Sequence, residues 1–202
     1  MKVIGLAGQK GVGKNYVANI IRELQCSFYY EVAFADPIKY YAIDILGIPD
    51  TLCFGSDDDK NEKTKYDWER MPAYIRGEKS GQMTAREILQ VLGTELGRNL
   101  WGKDVWTNAL AIRVSEIRKM GAEVVVVTDV RFQNEADCVR NIGGEVWLVD
   151  GPRRSLSLTN DLHLSESSVL GILPDRVIRN FPPNDSKETL KGVILAALES
   201  MK

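Results

Sequence analysis

The sequence predicts a doubly wound α/β fold, in which helices cover both faces of a parallel sheet. Short apolar runs alternate along the chain with segments whose apolar residues recur at helical spacing, which is the pattern of such folds. The clearest run, Val124–Val130, is almost entirely β-branched, as expected of a strand buried on both faces. A glycine-rich turn over residues 8–14 joins the first strand to the first helix. With 202 residues in the chain, we expect a single domain over residues 1–202.

Ordinary start and stop signals bound the predicted elements. Asp36 before Pro37 predicts a helix start, and Gly47 ends that helix. A capping box at residues 84–87 starts the next helix, and Gly121 stops the one after it. The strands are expected over residues 3–7, 31–35, 124–130, 145–150 and 177–178, and the helices over residues 16–25, 36–46, 84–100, 104–120, 132–141 and 186–201.

The stretch before the helix at residues 84–100 has no convincing periodicity between residues 48 and 82. An irregular connection of that length is unusual in a compact domain and is often functional, as a lid or a binding insertion. The acidic run at residues 57–59 is interpreted as a solvated loop rather than a metal site, because no ligand spacing is evident. The apolar stripe of the following helix is expected at Ile88, Val91, Leu92 and Leu96.

The composition narrows the classes of function. The formal net charge is −2, which gives no overall attraction to nucleic acid or to an anionic membrane. No segment approaches the ~20 apolar residues of a membrane span, and a strand at the N-terminus leads us to expect no signal peptide. Cys26, Cys53 and Cys138 are scattered, so we expect buried thiols in a reducing cytoplasm rather than disulfides or a zinc site.

The turn at residues 8–14 has the Gly-x4-Gly-Lys pattern of a phosphate-binding loop. Glycines let the backbone curl around an anion, and the helix that follows directs its positive end at the same phosphates. Lys14 adds a full charge where terminal phosphates would lie. A plain β–α turn with a surface lysine is the alternative, which the strand–turn–helix context disfavours. The expected nucleotide-binding residues are Gly8, Lys10, Gly11, Val12, Gly13, Lys14, Asn15 and Tyr16.

Two further sites follow predicted strands at the carboxyl edge, where open parallel sheets bind their ligands. Asp129 is placed like the acid that holds Mg²⁺-bound water in phosphate-loop enzymes. Arg131 is suited to clamp a transferring phosphoryl group, with an Asp–Arg pair that only ties a loop as the alternative. Arg153 and Arg154 suit a mobile lid over residues 151–163, with a solvated basic turn as the alternative. The expected catalytic residues are Lys14, Asp129, Arg131, Arg153 and Arg154.

Asn15 is the one departure from the loop pattern, since Ser or Thr normally follows the lysine. That hydroxyl ligates Mg²⁺, for which a carboxamide oxygen is a plausible substitute. The expected metal ligands are therefore Asn15 and Asp129. His163, the only histidine, is expected to organise its segment rather than act as a base, because phosphoryl transfer depends mainly on positioning and charge stabilisation.

With these pieces in hand, the chain resembles the phage-type deoxynucleoside monophosphate kinases of the P-loop nucleoside monophosphate kinase group. The resemblance implies a P-loop kinase-like fold with an acceptor-covering insertion at residues 48–82 and a lid at residues 151–163. It also implies transfer of the γ-phosphoryl group of ATP to a deoxynucleoside monophosphate, with Mg²⁺. The stretches that carry the resemblance are residues 8–14, 34–39, 84–98, 129–135 and 161–166.

The same resemblance implies an acceptor site. Arg86, Gln90 and Arg98 would face the acceptor nucleotide and its phosphate. Phe34, Asp36 and Lys39 would border the same pocket. The expected substrate-binding residues are Phe34, Asp36, Lys39, Trp68, Arg86, Gln90, Arg98 and Glu135, with Trp68 favouring a base that stacks.

Other functions stay open at this point. A kinase of another phosphorylated metabolite, such as dephospho-coenzyme A, would share the fold. A non-catalytic nucleotide-binding switch is the second alternative, and Asn15 is its best argument. A polynucleotide-end kinase is disfavoured because no basic stripe is visible. We expect small-molecule nucleotides as partners, and neither nucleic acid nor a membrane. A homodimer stays open. We expect the protein to act in the cytoplasm, which would be that of an infected host cell if the chain is phage-encoded.

Overall fold

The structure is a computed structural model that describes residues 1–25, 28–152, 169–180 and 187–201. The chain divides into two compact units. The first unit comprises Met1–Phe34 and Leu110–Lys202, and the second comprises Ala35–Ala109. That they form one domain, as the sequence leads us to expect, stays a prediction.

In the first unit the strands alternate with helices, as predicted. The strands are β1 (Lys2–Ala7), β2 (Tyr29–Val32), β3 (Lys63–Asp67), β4 (Gln82–Thr84), β5 (Val124–Val130), β6 (Glu145–Asp150) and β7 (Arg176–Arg179). The α-helices are α1 (Lys14–Leu24), α2 (Asp36–Asp44), α3 (Asp50–Phe54), α4 (Asp57–Asn61), α5 (Ala73–Arg76), α6 (Ala85–Gln90), α7 (Val105–Lys119), α8 (Gln133–Asn141) and α9 (Lys187–Ser200). A π-helix (Val91–Trp101) continues α6, and 3₁₀ turns lie at Trp68–Arg70 and Val169–Gly171.

A parallel sheet with the strand order β2-β5-β1-β6-β7 forms the centre of the first unit. Its strands are apolar on both faces because helices cover both. One face packs against α1 and α9 through Ile20 and Ile194, and the other packs against α7 and α8 through Ile117 and Val139. This arrangement confirms the predicted doubly wound α/β fold. Within the described residues, no helix combines the length and the apolar character needed to cross a membrane.

An ion pair fastens the edge strand β7 to β6. Arg176 donates to both carboxylate oxygens of Glu145, at 2.5 Å from Nε and 3.0 Å from Nη2. The indole of Trp147 donates to the same carboxylate at 3.0 Å. The Arg176 guanidinium holds the pKa of Glu145 below its usual range. Among the strands that the structure describes, β7 pairs with β6 alone, so this ion pair strengthens the one strand contact that positions the residues following β7.

The second unit is built from short elements around its own apolar cluster. An antiparallel pair, β3 and β4, packs with α2, α3 and α6 around Ile38, Cys53, Trp68 and Met83. The prediction of an irregular stretch over residues 48–82 was therefore wrong. Elements of three to five residues are too short to show a periodicity, and packing against the cluster rather than a local pattern stabilises them.

The acidic run of this unit has local structural partners. Asp59 accepts from the Ser56 backbone N–H at 2.6 Å and completes a capping box at the start of α4. The hydrogen bond from the Ser56 hydroxyl, also at 2.6 Å, and the one from its backbone N–H lower the pKa of Asp59. Asp57 pairs with Arg86 at 2.6 Å. The run thus starts a helix instead of lying in the solvated loop that the sequence favoured.

The helix expected over residues 84–100 changes its hydrogen-bond pattern half-way. From Val91 to Trp101 it is a π-helix, a conformation whose characteristic hydrogen bond joins an N–H to the carbonyl five residues earlier. The wider turns shift which side chains face inward, so the predicted stripe fails at Leu96, which is 38% exposed. Gly97 is buried in its place.

Strand β2 was also misplaced, since it covers Tyr29–Val32 rather than residues 31–35. Its register with β5, from Tyr29 opposite Val124 to Val32 opposite Val127, ends the pairing there. The chain then turns into α2 at Asp36. Strands β5 and β6 have the predicted bounds, and the other predicted helices are confirmed to within a few residues.

Gly144→Ala should destabilise the protein, because a Cβ there would lie 2.7 Å from the Val3 carbonyl oxygen and 2.9 Å from that of Val139. We expect a loss of about 2 kcal/mol in the free energy of unfolding, as for other overpacked sites. Gly192→Ala is the matched control: Gly192 lies in α9 with no atom within 4 Å of a new Cβ, and its replacement should stabilise by about 0.5–1 kcal/mol. Urea unfolding midpoints measure both. Equal shifts in the two variants would contradict the close approach.

Candidate active site

The glycine-rich turn leaves the carboxyl end of β1, the middle strand of the sheet. Ala7 is paired with Val130 on one side and with Leu148 on the other, so all three strands end at one edge. The predicted loop therefore lies where open parallel sheets bind their ligands.

The loop needs its glycines for two reasons. Gly8 and Gly13 have positive φ values of 149° and 97°. A Cβ at Gly8 would also lie 2.7 Å from the Val149 carbonyl oxygen of β6. Gly13 is the N-cap of α1, and its carbonyl accepts from the Val17 N–H at 3.0 Å. The loop backbone and the first turn of α1 thus form one continuous curve of N–H groups, which is the chemistry of an anion site.

The side chain of Lys14 lies over its own loop. Its Nζ donates to the Gly8 carbonyl at 2.7 Å and to the Gln9 carbonyl at 3.0 Å. A half-buried ammonium on a strand–helix loop is the charge that a nucleotide phosphate would meet. The next residues, Asn15 and Tyr16, are exposed on the first turn of α1.

An inserted residue in β5 redirects Asp129. Between Gly5 and Ala7 the strand β1 advances two residues, whereas β5 advances three, from Val127 to Val130. Such a bulge changes which side a residue faces and is frequent beside active sites. Asp129 is half-exposed, and its Oδ1 accepts from the Phe34 N–H at 2.7 Å, which fixes the carboxylate at the edge of the sheet.

Arg131 follows β5 with an exposed side chain, and its backbone is fixed by Glu135. The Glu135 carboxylate is 3% exposed and accepts from the N–H groups of Arg131 at 2.8 Å and of Phe132 at 3.2 Å. This caps the start of α8 and holds the backbone that carries Arg131. Burial of Glu135 argues against the direct substrate contact expected from the sequence and favours a positioning role.

Asn180 is a site residue that sequence reasoning missed. It follows β7, its backbone N–H donates to the Asp150 carbonyl at 2.7 Å, and its Nδ2 donates to the Val12 carbonyl at 2.9 Å. The space that Gly13 leaves without a Cβ is filled by the same amide group. Asn180 therefore fixes the tip of the loop to the far edge of the sheet. A single asparagine in a loop carries no motif that could have identified it.

In the second unit, three of the residues expected at the acceptor lie on α6 and the π-helix that continues it. Arg86 lies on α6, where its Nε donates to Asn61 Oδ1 at 2.9 Å and its Nη2 to Asp57 Oδ1 at 2.6 Å. Gln90 ends α6 and Arg98 lies in the π-helix, and both are half-buried. Two acceptors thus orient the guanidinium of Arg86, and one of them is a carboxylate.

The remaining expected acceptor residues differ in how the structure places them. Lys39 pairs with Asp36 at 3.2 Å, and its Nζ lies 4.5 Å from the centre of the Phe54 ring. Trp68 is 3% exposed in the apolar cluster of the second unit, which argues against the expected stacking on a base. Phe34 is buried in the core of the first unit, so its link to the site is its backbone bond to Asp129 rather than its ring. Arg153, Arg154 and His163, with the expected lid after Pro152, lie outside the described residues.

The residues at this edge fit a magnesium ion chemically. Mg²⁺ takes hard oxygen ligands, usually one or two carboxylates together with substrate phosphates and water. The oriented carboxylate of Asp129 and the exposed amide of Asn15 supply such oxygens. The described parts of the chain contain no group of three or more His, Cys, Asp or Glu side chains arranged to hold a metal ion by themselves.

A glycine loop of this geometry, at the end of the middle strand of a parallel sheet, defines an α/β protein of the P-loop nucleotide-binding class. Comparison with known proteins gives the family. The family model described as deoxynucleotide monophosphate kinase matches residues 42–193, most of the chain. The chain belongs to the deoxynucleotide monophosphate kinase family. That match begins after residues 8–14, so the phosphate-binding loop is supported independently by its own geometry.

Individual relatives agree with the family. The deoxynucleoside-5'-monophosphate kinase of Escherichia phage T5 is 29% identical over 182 residues, covering 68% of this chain and 71% of its own. An Acanthamoeba polyphaga mimivirus protein, whose name assigns it provisionally to the same activity, is 28% identical over 180 residues, covering 85% of this chain and 84% of its own. Among solved structures, Thermus thermophilus TT1252 has a TM-score of 0.50 at 16% identity and covers 100% of this chain and 98% of its own, which shows the fold alone.

Asn180→Ala should weaken nucleotide binding at the loop without unfolding the protein. The variant loses the bond to the Val12 carbonyl, and one neutral hydrogen bond is worth about 1 kcal/mol, or about a five-fold change in Kd. Calorimetric titration with ATP measures the change, and the exposed Asn141 on α8 gives the control Asn141→Ala. An ATP affinity equal to that of the control would mean that the loop keeps its shape without Asn180.

Proposed function

We propose that this protein transfers the γ-phosphoryl group of ATP to a deoxynucleoside monophosphate. The bond between the γ-phosphorus and the bridging oxygen of ATP breaks, and a phosphate oxygen of the acceptor forms the new bond, so the products are ADP and a deoxynucleoside diphosphate. The observation that carries the proposal is the glycine loop with Lys14 on it, in a chain of this family. The dephospho-coenzyme A and switch alternatives are not favoured by the family match.

The donor end of the reaction is assigned to the first unit. The loop N–H groups and the first turn of α1 would hold the β- and γ-phosphates of ATP. Lys14 would exchange its bonds to the Gly8 and Gln9 carbonyls for the more strongly charged phosphate oxygens. Asn180 keeps the loop curved while this exchange takes place.

Charge stabilisation is assigned to the carboxyl edge beside the loop. Asp129 and Asn15 would hold Mg²⁺, which neutralises phosphate charge when bound. Arg131 would contact the transferring group, and Glu135 fixes the backbone from which it projects. No strong base is required, because the acceptor phosphate is already ionised at neutral pH. Arg153 and Arg154 stay the predicted lid arginines.

The acceptor is assigned to the second unit. Arg86, oriented by Asp57 and Asn61, would bind the acceptor phosphate, with Gln90 and Arg98 on the same helix. The preference for one base, and for deoxyribose over ribose, would depend on contacts between this unit and the acceptor itself. A homodimer and action in the cytoplasm stay predictions.

A coupled assay of ADP release, run with each deoxynucleoside and ribonucleoside monophosphate, tests the function. We expect ADP release that requires a deoxynucleoside monophosphate. Lys14→Ala should nearly abolish it, because the variant loses the charge that would meet the phosphates, while the bonds it gives up lie within its own loop and should leave the fold intact. Lys119→Ala, an exposed lysine at the end of α7, is the control and should keep full activity. ATP binding without acceptor-dependent ADP release, in the parent protein, would favour a switch instead.

Asn15→Thr tests the proposed metal ligand. A hydroxyl is more compact than an amide, which also carries an NH₂ group that cannot bind a metal. Mg²⁺ demands near-ideal octahedral geometry with ligands at about 2.0–2.1 Å. We therefore expect Asn15→Thr to lower the Mg²⁺ concentration needed for half-maximal ATP binding and for the half-maximal rate. ATP binding is followed by calorimetry over a series of Mg²⁺ concentrations.

The companion variant Asn15→Ala separates two models of that site. If the amide oxygen is a ligand, the alanine variant needs more Mg²⁺ than the parent protein for ATP binding. An unchanged Mg²⁺ dependence in both variants would mean that water held by Asp129 fills the position, and that Asn15 is no ligand.

A further inference from the structure

Trp106 holds the π-helix from outside. It lies in the first turn of α7, and its indole N–H donates to the Gly93 carbonyl at 2.9 Å. The indole is half-buried, and it packs against the apolar cluster of the second unit. A side chain of α7 thus donates a hydrogen bond directly to the backbone of the π-helix Val91–Trp101.

Gly97 provides the space that the indole occupies. A Cβ at Gly97 would lie 2.6 Å from both Cε2 and Nε1 of Trp106, a distance that carbon atoms do not adopt. Gly97 has no positive φ, so the reason for a glycine here is the approach of Trp106 and not an unusual backbone conformation. Gly93, four residues earlier, is also closely packed, since a Cβ there would lie 3.2 Å from the Cδ1 of Ile38.

A π-helix of this length needs such support. Runs of i→i+5 hydrogen bonds are rare beyond a single turn, and those that occur are frequently found at functional sites. Here the bonding extends over Val91–Trp101, and both glycines that face Trp106 or Ile38 lie inside it. The register of this segment also determines the direction in which Arg98, the residue next to Gly97, projects.

We propose that Trp106 is a positioning residue for the acceptor nucleotide. By holding Gly93 and Gly97 it fixes the π-helical register, and through that register it sets the direction of the Arg98 guanidinium. The inference rests on the proposed function, in which Arg98 faces the acceptor. Trp106 itself does not contact the acceptor in this account.

The test compares Trp106→Phe with Trp101→Phe. The first variant keeps an aromatic ring but loses the N–H that bonds Gly93, and the second makes the same change at a tryptophan that is 73% exposed at the end of the same π-helix. We expect Trp106→Phe to raise the KM for the deoxynucleoside monophosphate about three- to ten-fold, as for one lost hydrogen bond, and to leave the KM for ATP unchanged. Trp101→Phe should change neither constant.

A double-mutant cycle with Arg98→Ala separates positioning from general stability. If Trp106 acts through Arg98, then Trp106→Phe should raise the acceptor KM in the parent protein but add nothing further in the Arg98→Ala background. Additive effects would overturn the inference, as would a rise in both KM values accompanied by a lower Tm. Thermal unfolding of each variant is measured alongside the kinetics.

Failure of the proposed function gives a different result. If Arg98→Ala leaves the acceptor KM unchanged, the acceptor site itself is wrongly assigned, and the inference about Trp106 falls with it. If Arg98→Ala raises the acceptor KM while Trp106→Phe does not, the acceptor site stands and only the role of Trp106 is overturned.

Discussion

The pairing of β1 between β5 and β6 is the constraint on which the rest of the structure depends. Because β1 is parallel to both neighbours and Ala7, its last residue, pairs with each of them, the carboxyl ends of the three strands lie at one edge of the sheet. The phosphate-binding loop, Asp129 and Arg131 share that edge for this reason. Two local features refine the arrangement. The Val149 carbonyl of β6 leaves no room for a side chain at Gly8, and the bulge in β5 redirects Asp129.

The roles that we propose for the two substrates fall on different units. Backbone N–H groups dominate the site of the first unit, where glycines and a helix start create a site for anions of any nucleotide. Side chains dominate the second unit, where Arg86 is oriented by Asp57 and Asn61. Backbone sites recognise phosphate and little else, whereas oriented side chains are suited to discriminate between acceptors.

The sequence predicted best where burial is simplest. Strands β5 and β6 are covered on both faces, so continuous apolar runs gave their bounds without error. The π-helix could not be predicted, because the search for an apolar stripe assumes 3.6 residues per turn. With that spacing Leu96 is expected to face inward, whereas in the π-helix it is exposed. Aromatic residues were ambiguous, since Trp68 suits a core as well as a stacking site.

The bond between Asn180 and Val12 joins residues that are 168 positions apart in the chain. A contact of such long range forms late, since loop closure must be completed before the contact contributes any stability. The nucleotide loop at the start of the chain therefore reaches its final shape only after β7, near the end, has paired with β6. While the chain is still being synthesised, its N-terminal loop therefore lacks the bond from Asn180, and an incomplete chain should bind ATP more weakly than the finished protein.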